Sequence, residues 1–314
     1  MFMADTVNGI VSLFLMMAVG FALYKAGWIE EKGEALLVKL ALKVAVPCAL
    51  FCNAVTHLAK GLAVDDPLCF LMPVGTIALT LALGLVLVRV LQVPKRQRGV
   101  AASIFAVSNT IIIGLPVCTS IFGETGIPYV ILYYAANTII FWTVGASLVA
   151  ADGGEKFRLN WKSVRRVFSP ALLGFLLGLA VVLSGITVPT AIYKAINTMG
   201  QSNTAICMIL VGTCIGKLGF REMFRFGRAG ILAMLGRTLI GPAIVLAACL
   251  LLGFQGIPAR VYLVMAAMPA MSQSVPVAKN YGADDLLSAR LLSASALMML
   301  VTVPLLVLVA EAIL

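Results

Sequence analysis

"VSNTIIIGLPVCTSIFGETG", residues 107–126, lies in a stretch that carries no charge from Gly99 to Gly123. The length suits a membrane crossing, which takes about 20 apolar residues as a helix. The content does not suit a plain membrane helix. Asn109 brings an amide into hydrocarbon, Pro116 removes a backbone donor, and Gly114 removes a side chain beside it. Backbone groups freed in this way must find partners in neighbouring protein or a wet cavity, because lipid offers none. A second stretch, "MPAMSQSVPVAKNYGADD" at 268–285, has the same character through Pro269, Ser272, Gln273, Ser274 and Pro276.

The rest of the chain supplies the setting. Hydrophobic residues make up 61% and charged residues only 11%, with a mean hydropathy of +1.06; a soluble domain carries about 25% charge. Uncharged blocks run from Asp5 to Lys25, Asp66 to Arg89, Gly99 to Gly123, Glu124 to Asp152 and Arg166 to Lys194. They continue from Lys194 to Lys217, Arg237 to Arg260, Arg260 to Lys279 and Arg290 to Glu311. With a shorter segment from Leu36 to Val55, interrupted by Lys39, Lys43 and Pro47, the pattern predicts ten membrane helices. Short alternating strands of a membrane barrel are not the pattern here.

The net charge of +10 reports topology rather than nucleic acid. With ten spans and the N-terminus outside, most of the 23 Lys and Arg fall on the inner side, including Lys95, Arg96, Arg98, Lys162, Arg165, Arg166, Arg221 and Arg225. That asymmetry is the positive-inside rule, and it puts both termini outside. The first block, without a basic start or a small-residue cleavage site, reads as a retained span. An inner or plasma membrane is the expected location. The seven cysteines follow no metal spacing and read as small packing residues.

A weak internal repeat organises the chain. Pro116 and Pro276 are 160 positions apart, Thr143 and Thr302 159, Pro47 and Ser202 155. The near-constant offset divides the chain into a first five-helix repeat at 1–150, a basic inner loop at 151–166 and a second repeat at 167–314. Five spans per half force the second half to enter from the opposite face. The expectation is an all-α polytopic membrane protein with two inverted five-helix repeats, whose fourth and ninth helices are broken and cross near the midplane. Secondary transporters are built this way, with the substrate at the crossing.

The candidate binding residues follow from that plan: Asn109, Gly114, Pro116, Ser272, Gln273, Ser274 and Pro276. Half-helix N-termini at such breaks offer unpaired N–H groups and partial positive charge, which suit an anion. Asn137, Thr143, Gln201, Ser202, Asn203 and Lys279 are weaker candidates for substrate or ion contact, with interhelical bonding the competing role for the amides. Pro47 reads as a further helix break. Lys39, Lys43 and Lys279 can snorkel, and Arg237 reads as an anchor near the inner surface. "GFLLG", Gly174 to Gly178, permits close helix packing. No pair of carboxylates sits at mid-depth, and no nucleophile–base set, metalloprotease helix or phosphate loop is present, which disfavours an enzyme.

"SNTIIIGLP" with "FGETG", "YYAANTIIFWTVG", and "MPAMSQSVPVAKNYGADD" followed by "SASALMMLVTVP" together resemble the auxin efflux carrier family, over essentially the whole chain. Bacterial members are often described as malonate or malate permeases, and the family belongs with bile-acid symporter-like carriers. The resemblance implies a scaffold domain and a transport domain, with Asn109, Pro116 and Pro276 marking the crossover. It also implies elevator-like movement of a mono- or dicarboxylate, and it is compatible with a homodimer. The second span has "VPCALFCNA" and the ninth "MSQSVP", so the contacts of the plant auxin carriers do not carry over. No cofactor is expected; the coupling ion, sodium or proton, stays open, and so does a channel or receptor that binds a carboxylate without concentrating it.

Overall fold

A computed structural model describes residues 2–58, 67–154, 170–217 and 220–314. Among these residues the chain is helical throughout, with no strand beyond a single isolated bridge. The helices are α1 (Phe2–Lys25), α2 (Glu31–Leu40), α3 (Val46–Asn53), α4 (Leu68–Val90), α5 (Arg98–Ala106), α6 (Leu115–Phe122), α7 (Ile127–Ile140) and α8 (Ala146–Asp152). There follow α9 (Pro170–Ser184), α10 (Thr190–Lys217), α11 (Phe220–Met223), α12 (Arg228–Leu235), α13 (Gly241–Leu252), α14 (Ile257–Ala266), α15 (Ser274–Tyr281) and α16 (Asp285–Ile313). Among the described residues six helical stretches are long and apolar enough to cross a membrane: Glu31–Thr56, Leu68–Val90, Thr110–Asp152, Thr190–Lys217, Arg228–Leu252 and Asp285–Ile313. Exposed leucines such as Leu183 and Leu251 face outward, as hydrocarbon requires.

Prolines shape these helices in a way their sequence positions do not announce. Pro47, Pro116 and Pro242 each occupy the second position of a helix that follows a π turn: Ala41–Ala45, Thr110–Gly114 and Gly236–Ile240. Proline cannot donate, and its ring crowds the carbonyl four residues back. The wider turn shifts the hydrogen-bond register just ahead of the ring, so that Val46 donates to Ala41 and Gly241 to Gly236, each five residues back. The helix then continues. Pro47 is therefore no break: Glu31 to Thr56 is one helical stretch. Pro116 likewise lies inside helix, and the interruption of its arm falls earlier, at Val107–Asn109.

The chain divides into two compact units that draw segments from both sequence halves. The first comprises 1–67, 111–131 and 168–217; the second comprises 68–110, 132–167 and 218–314. The basic loop expected at 151–166 lies outside the described residues from 155 onward.

In the first unit, glycines let helices approach to backbone distance. A β-carbon on Gly174 would lie 2.4 Å from the Pro47 carbonyl oxygen, and one on Gly212 would lie 1.9 Å from that of Met17. The small-residue reading of "GFLLG" is what α9 uses against α3: Gly178 sits on Phe51 and Ala54. In the second unit, Phe105 fills the notch between Gly84 and Gly236. Asp152, closing α8, accepts the Gly99 and Val100 N–H groups at 2.8 Å each. A carboxylate there satisfies orphan donors at the N-terminus of α5 and opposes its dipole.

Candidate functional site

The second unit contains two helices interrupted within the apolar core. α5 ends at Ala106 and the chain runs extended through 107–109; α14 ends at Ala266 and helix resumes only at Ser274. The interruptions meet. Ser108 and Ala270 form an antiparallel bridge, and the Asn109 N–H donates to the Pro269 carbonyl at 2.8 Å. Two short extended segments thus supply part of each other's missing backbone bonds.

Side chains from two other helices supply the rest. Asn137 on α7 accepts from the Ser108 N–H at 3.0 Å and donates to the Ser108 carbonyl at 2.9 Å. Ser295 on α16 accepts the Ala270 N–H at 2.9 Å. Asn137 is fully buried and Asn109 is 5% exposed. An amide matches a peptide group donor for acceptor, which is why Asn rather than a hydroxyl can close both sides of Ser108.

Arg237 occupies the π turn before α13, midway along the apolar stretch Arg228–Leu252, and is 1% exposed. It is no surface anchor, contrary to the sequence expectation. Its position is set by the widened turn and by Gly241, whose missing side chain leaves the guanidinium Nη2 room. Nη2 donates to the carbonyl of Ala266, the last residue of α14. Among the described residues Nε and Nη1 have no hydrogen-bond partner, and no carboxylate pairs with this arginine. Tyr133 lies within electrostatic range, beside Ser108. A buried unpaired ion costs several kcal/mol even after relaxation, and a helix C-terminus returns only about half a charge.

The first unit has a partly open polar cavity of about 290 Å³. Asn53, Thr56, Thr119, Glu124, Tyr193, Asn197, Gln201, Asn203 and Thr204 contribute its polar lining. Thr56 and Tyr193 share a 2.8 Å hydrogen bond across it, and Asn203 Oδ1 accepts from the Cys207 thiol. Among the described residues no three metal-ligating side chains gather anywhere.

The sequence candidates separate accordingly. Asn109 and Asn137 sit at the crossing, and Ser272, Gln273 and Ser274 form the turn that leads from it into α15. Gln201 and Asn203 line the cavity, whereas Ser202 turns its hydroxyl back to Met199. Thr143 bonds back to Ile139 within its own helix, and Lys279 and Pro276 are exposed. Gly114 and Pro116 are buried in the first unit. Ser295 and Arg237 are the additions. An arginine alone between Arg228 and Arg260 in an otherwise uncharged stretch was the one visible signal for the second; nothing marked the first among the serines of α16.

A family described as membrane transport protein matches residues 5–163 and 156–307. An uncharacterized transporter of Methanothermobacter thermautotrophicus is 30% identical over 313 residues, covering 97% of this chain and 98% of its own. One from Methanocaldococcus jannaschii is 21% identical over 284 residues, covering 88% and 89%.

Proposed function

The chain belongs to the membrane transport protein family, of auxin efflux carrier-like proteins, and on that premise we propose that it is a secondary transporter for a small organic anion. The substrate class is a mono- or dicarboxylate of the size of malonate or malate, moved across a cell membrane by elevator-like alternating access. The observation that carries this reading is the hydrogen-bonded meeting of two interrupted helices at Ser108 and Ala270. Carriers place substrate where broken helices meet, because only there is polar backbone available at membrane depth.

The inverted ten-span plan gains support from the same place. Ser108 is held by Asn137 and Ala270 by Ser295, so the second helix after each interruption supplies a polar clamp at a spacing close to the sequence repeat. The stretch Thr110–Asp152 has 43 residues, about twice what one crossing needs, and Gly123 turns it at a φ of 64°. On this reading Asn109 and the turn Ser272–Ser274 contact substrate in the second unit, with the N-terminus of α15 lending partial positive charge. In the first unit Gln201 and Asn203 give a partly hydrated anion neutral donors.

Reconstitution tests it. Purified protein in proteoliposomes should accumulate labelled malonate or malate above the outside concentration when a sodium gradient, a proton gradient or a membrane potential is imposed. Equilibration without accumulation under all three assigns a channel, and binding without flux assigns a receptor.

A further inference from the structure

We infer that Arg237 is the fixed positive charge of the anion site, with guanidinium N–H groups held for a carboxylate of the transported molecule. This deepens the transport reading and rests on it. Arg237 is 1% exposed, and its Nη2 donates to the Ala266 carbonyl. Among the described residues the other two guanidinium nitrogens are buried without an acceptor. Buried arginines in membrane proteins pair with acids or with backbone carbonyls, and intramembrane charges mark substrate pathways. Here one carbonyl is present and, among the described residues, no acid.

The placement fits a ligand better than it fits a cap. A C-terminal carbonyl end carries about half a negative charge, so it leaves a full cation undercompensated. Arg237 also stands on a π turn, a local widening frequent at functional positions. It lies where α14 gives way to the extended segment that pairs with Ser108, and Tyr133 brings a hydroxyl to the same place. An anion reaching the interruption would meet hydrogen-bond donors and a formal charge together. The guanidinium is enclosed in the present conformation, so an anion reaches it only after a rearrangement of the surrounding backbone or side chains.

The test uses full-length protein and malonate as probe, with Kd measured on folded protein in nanodiscs for wild type, R237Q and R237K. R237Q should weaken malonate binding at least about tenfold, the loss of one charge-assisted hydrogen bond. R237K should recover part of it, keeping charge but not the fork. An unchanged Kd in folded R237Q, with only a lowered thermal midpoint, makes Arg237 a structural cap and overturns the inference alone. Wild type that binds neither malonate nor any short carboxylate overturns the transport reading and the inference with it. If neither variant folds, phenylglyoxal labelling of wild type decides, read at Arg237 by peptide mass spectrometry. Malonate should slow labelling; a rate it leaves unchanged, zero included, overturns the proposal. Chloride that protects Arg237 while malonate does not assigns a halide site and overturns the carboxylate assignment.

Discussion

Asn137 closes both sides of Ser108: Oδ1 takes the backbone N–H at 3.0 Å and Nδ2 gives to the carbonyl at 2.9 Å, with neither residue exposed. One amide side chain therefore does for Ser108 what a neighbouring strand would do, and the extended segment persists inside an otherwise helical protein. Asn137→Ala leaves the buried Ser108 N–H unmet, at about 1–3 kcal/mol, whereas the Ser108 carbonyl keeps the Thr110 N–H at 3.1 Å. The expected result is a destabilisation of about 1–3 kcal/mol, read by thermal unfolding in detergent. Asn137→Asp keeps the acceptor for the Ser108 N–H and should lose less. An Asn137→Ala protein as stable as wild type would mean that other groups satisfy this backbone.

Gly174 tests the packing of the first unit. A β-carbon there meets the Pro47 carbonyl at 2.4 Å, and backbone cannot yield as a flexible side chain would. Gly174→Val should force α9 from α3 and cost about 1–3 kcal/mol, typical of overpacking. Gly75 is the control, since nothing lies within 4 Å of the position its β-carbon would take. Gly75→Ala should leave the midpoint unchanged or raise it. Equal tolerance of both substitutions would show that the α9–α3 contact is looser than described.

These two sites show what a sequence can and cannot announce in a membrane chain. Charge-free blocks reveal spans because hydrocarbon excludes charge everywhere along them, a property that needs no tertiary knowledge. The paired interruptions were visible because proline and polar residues recur at one offset. Their position was not: Pro47 and Pro116 marked breaks in the sequence, yet a π turn ahead of each absorbs the ring, and the extended segment begins at Val107. Arg237 was misplaced for a related reason. Long basic side chains usually snorkel to water, but this one is held inward by its hydrogen bond to Ala266 and by the room that Gly241 leaves, neither of which a local pattern encodes. Asn137 was ambiguous between pathway and interhelical bond until its two partners were both found on Ser108.

Outside the membrane stretches, Glu222 carries the clearest pH signature. A hydrogen bond from Arg225, 2.8 Å away, together with the charges of Arg225 and Arg290, holds its carboxyl below the ordinary glutamate range and outweighs an opposing desolvation. A depressed folded-state pKa stabilises above the unfolded value and is lost as pH falls through the folded one. The contribution of this pair should therefore be constant at neutral pH and fade below about pH 4. The difference in thermal midpoint between wild type and Glu222→Gln should shrink over that window. Because the group is solvent-exposed the effect is small and salt-sensitive, and 1 M salt should reduce it at pH 7. A difference that grows on acidification would contradict the assigned interaction.

Asn109 and Pro116 were indistinguishable as candidates in the sequence, and the structure orders them. Asn109 stands on the extended segment itself, its N–H bound to Pro269 and its side chain 5% exposed. Pro116 lies in α6, beyond the π turn that begins at Thr110. Asn109→Ala keeps the backbone bond, since any residue supplies that N–H, and removes only the amide. If the amide contacts a carboxylate, the loss is about 1.5–3 kcal/mol, or about 10–100-fold in flux at limiting substrate. Pro116→Ala restores a donor and lets the π turn relax toward regular helix, changing geometry one arm away from the crossing; its effect on flux should be smaller. Both proteins should insert and fold. Rates of malonate uptake in proteoliposomes, normalised to inserted protein, check the order. Wild-type uptake in a folded Asn109→Ala protein would remove Asn109 from the site, and a larger loss in Pro116→Ala would shift the weight of the mechanism from the crossing to the π turn.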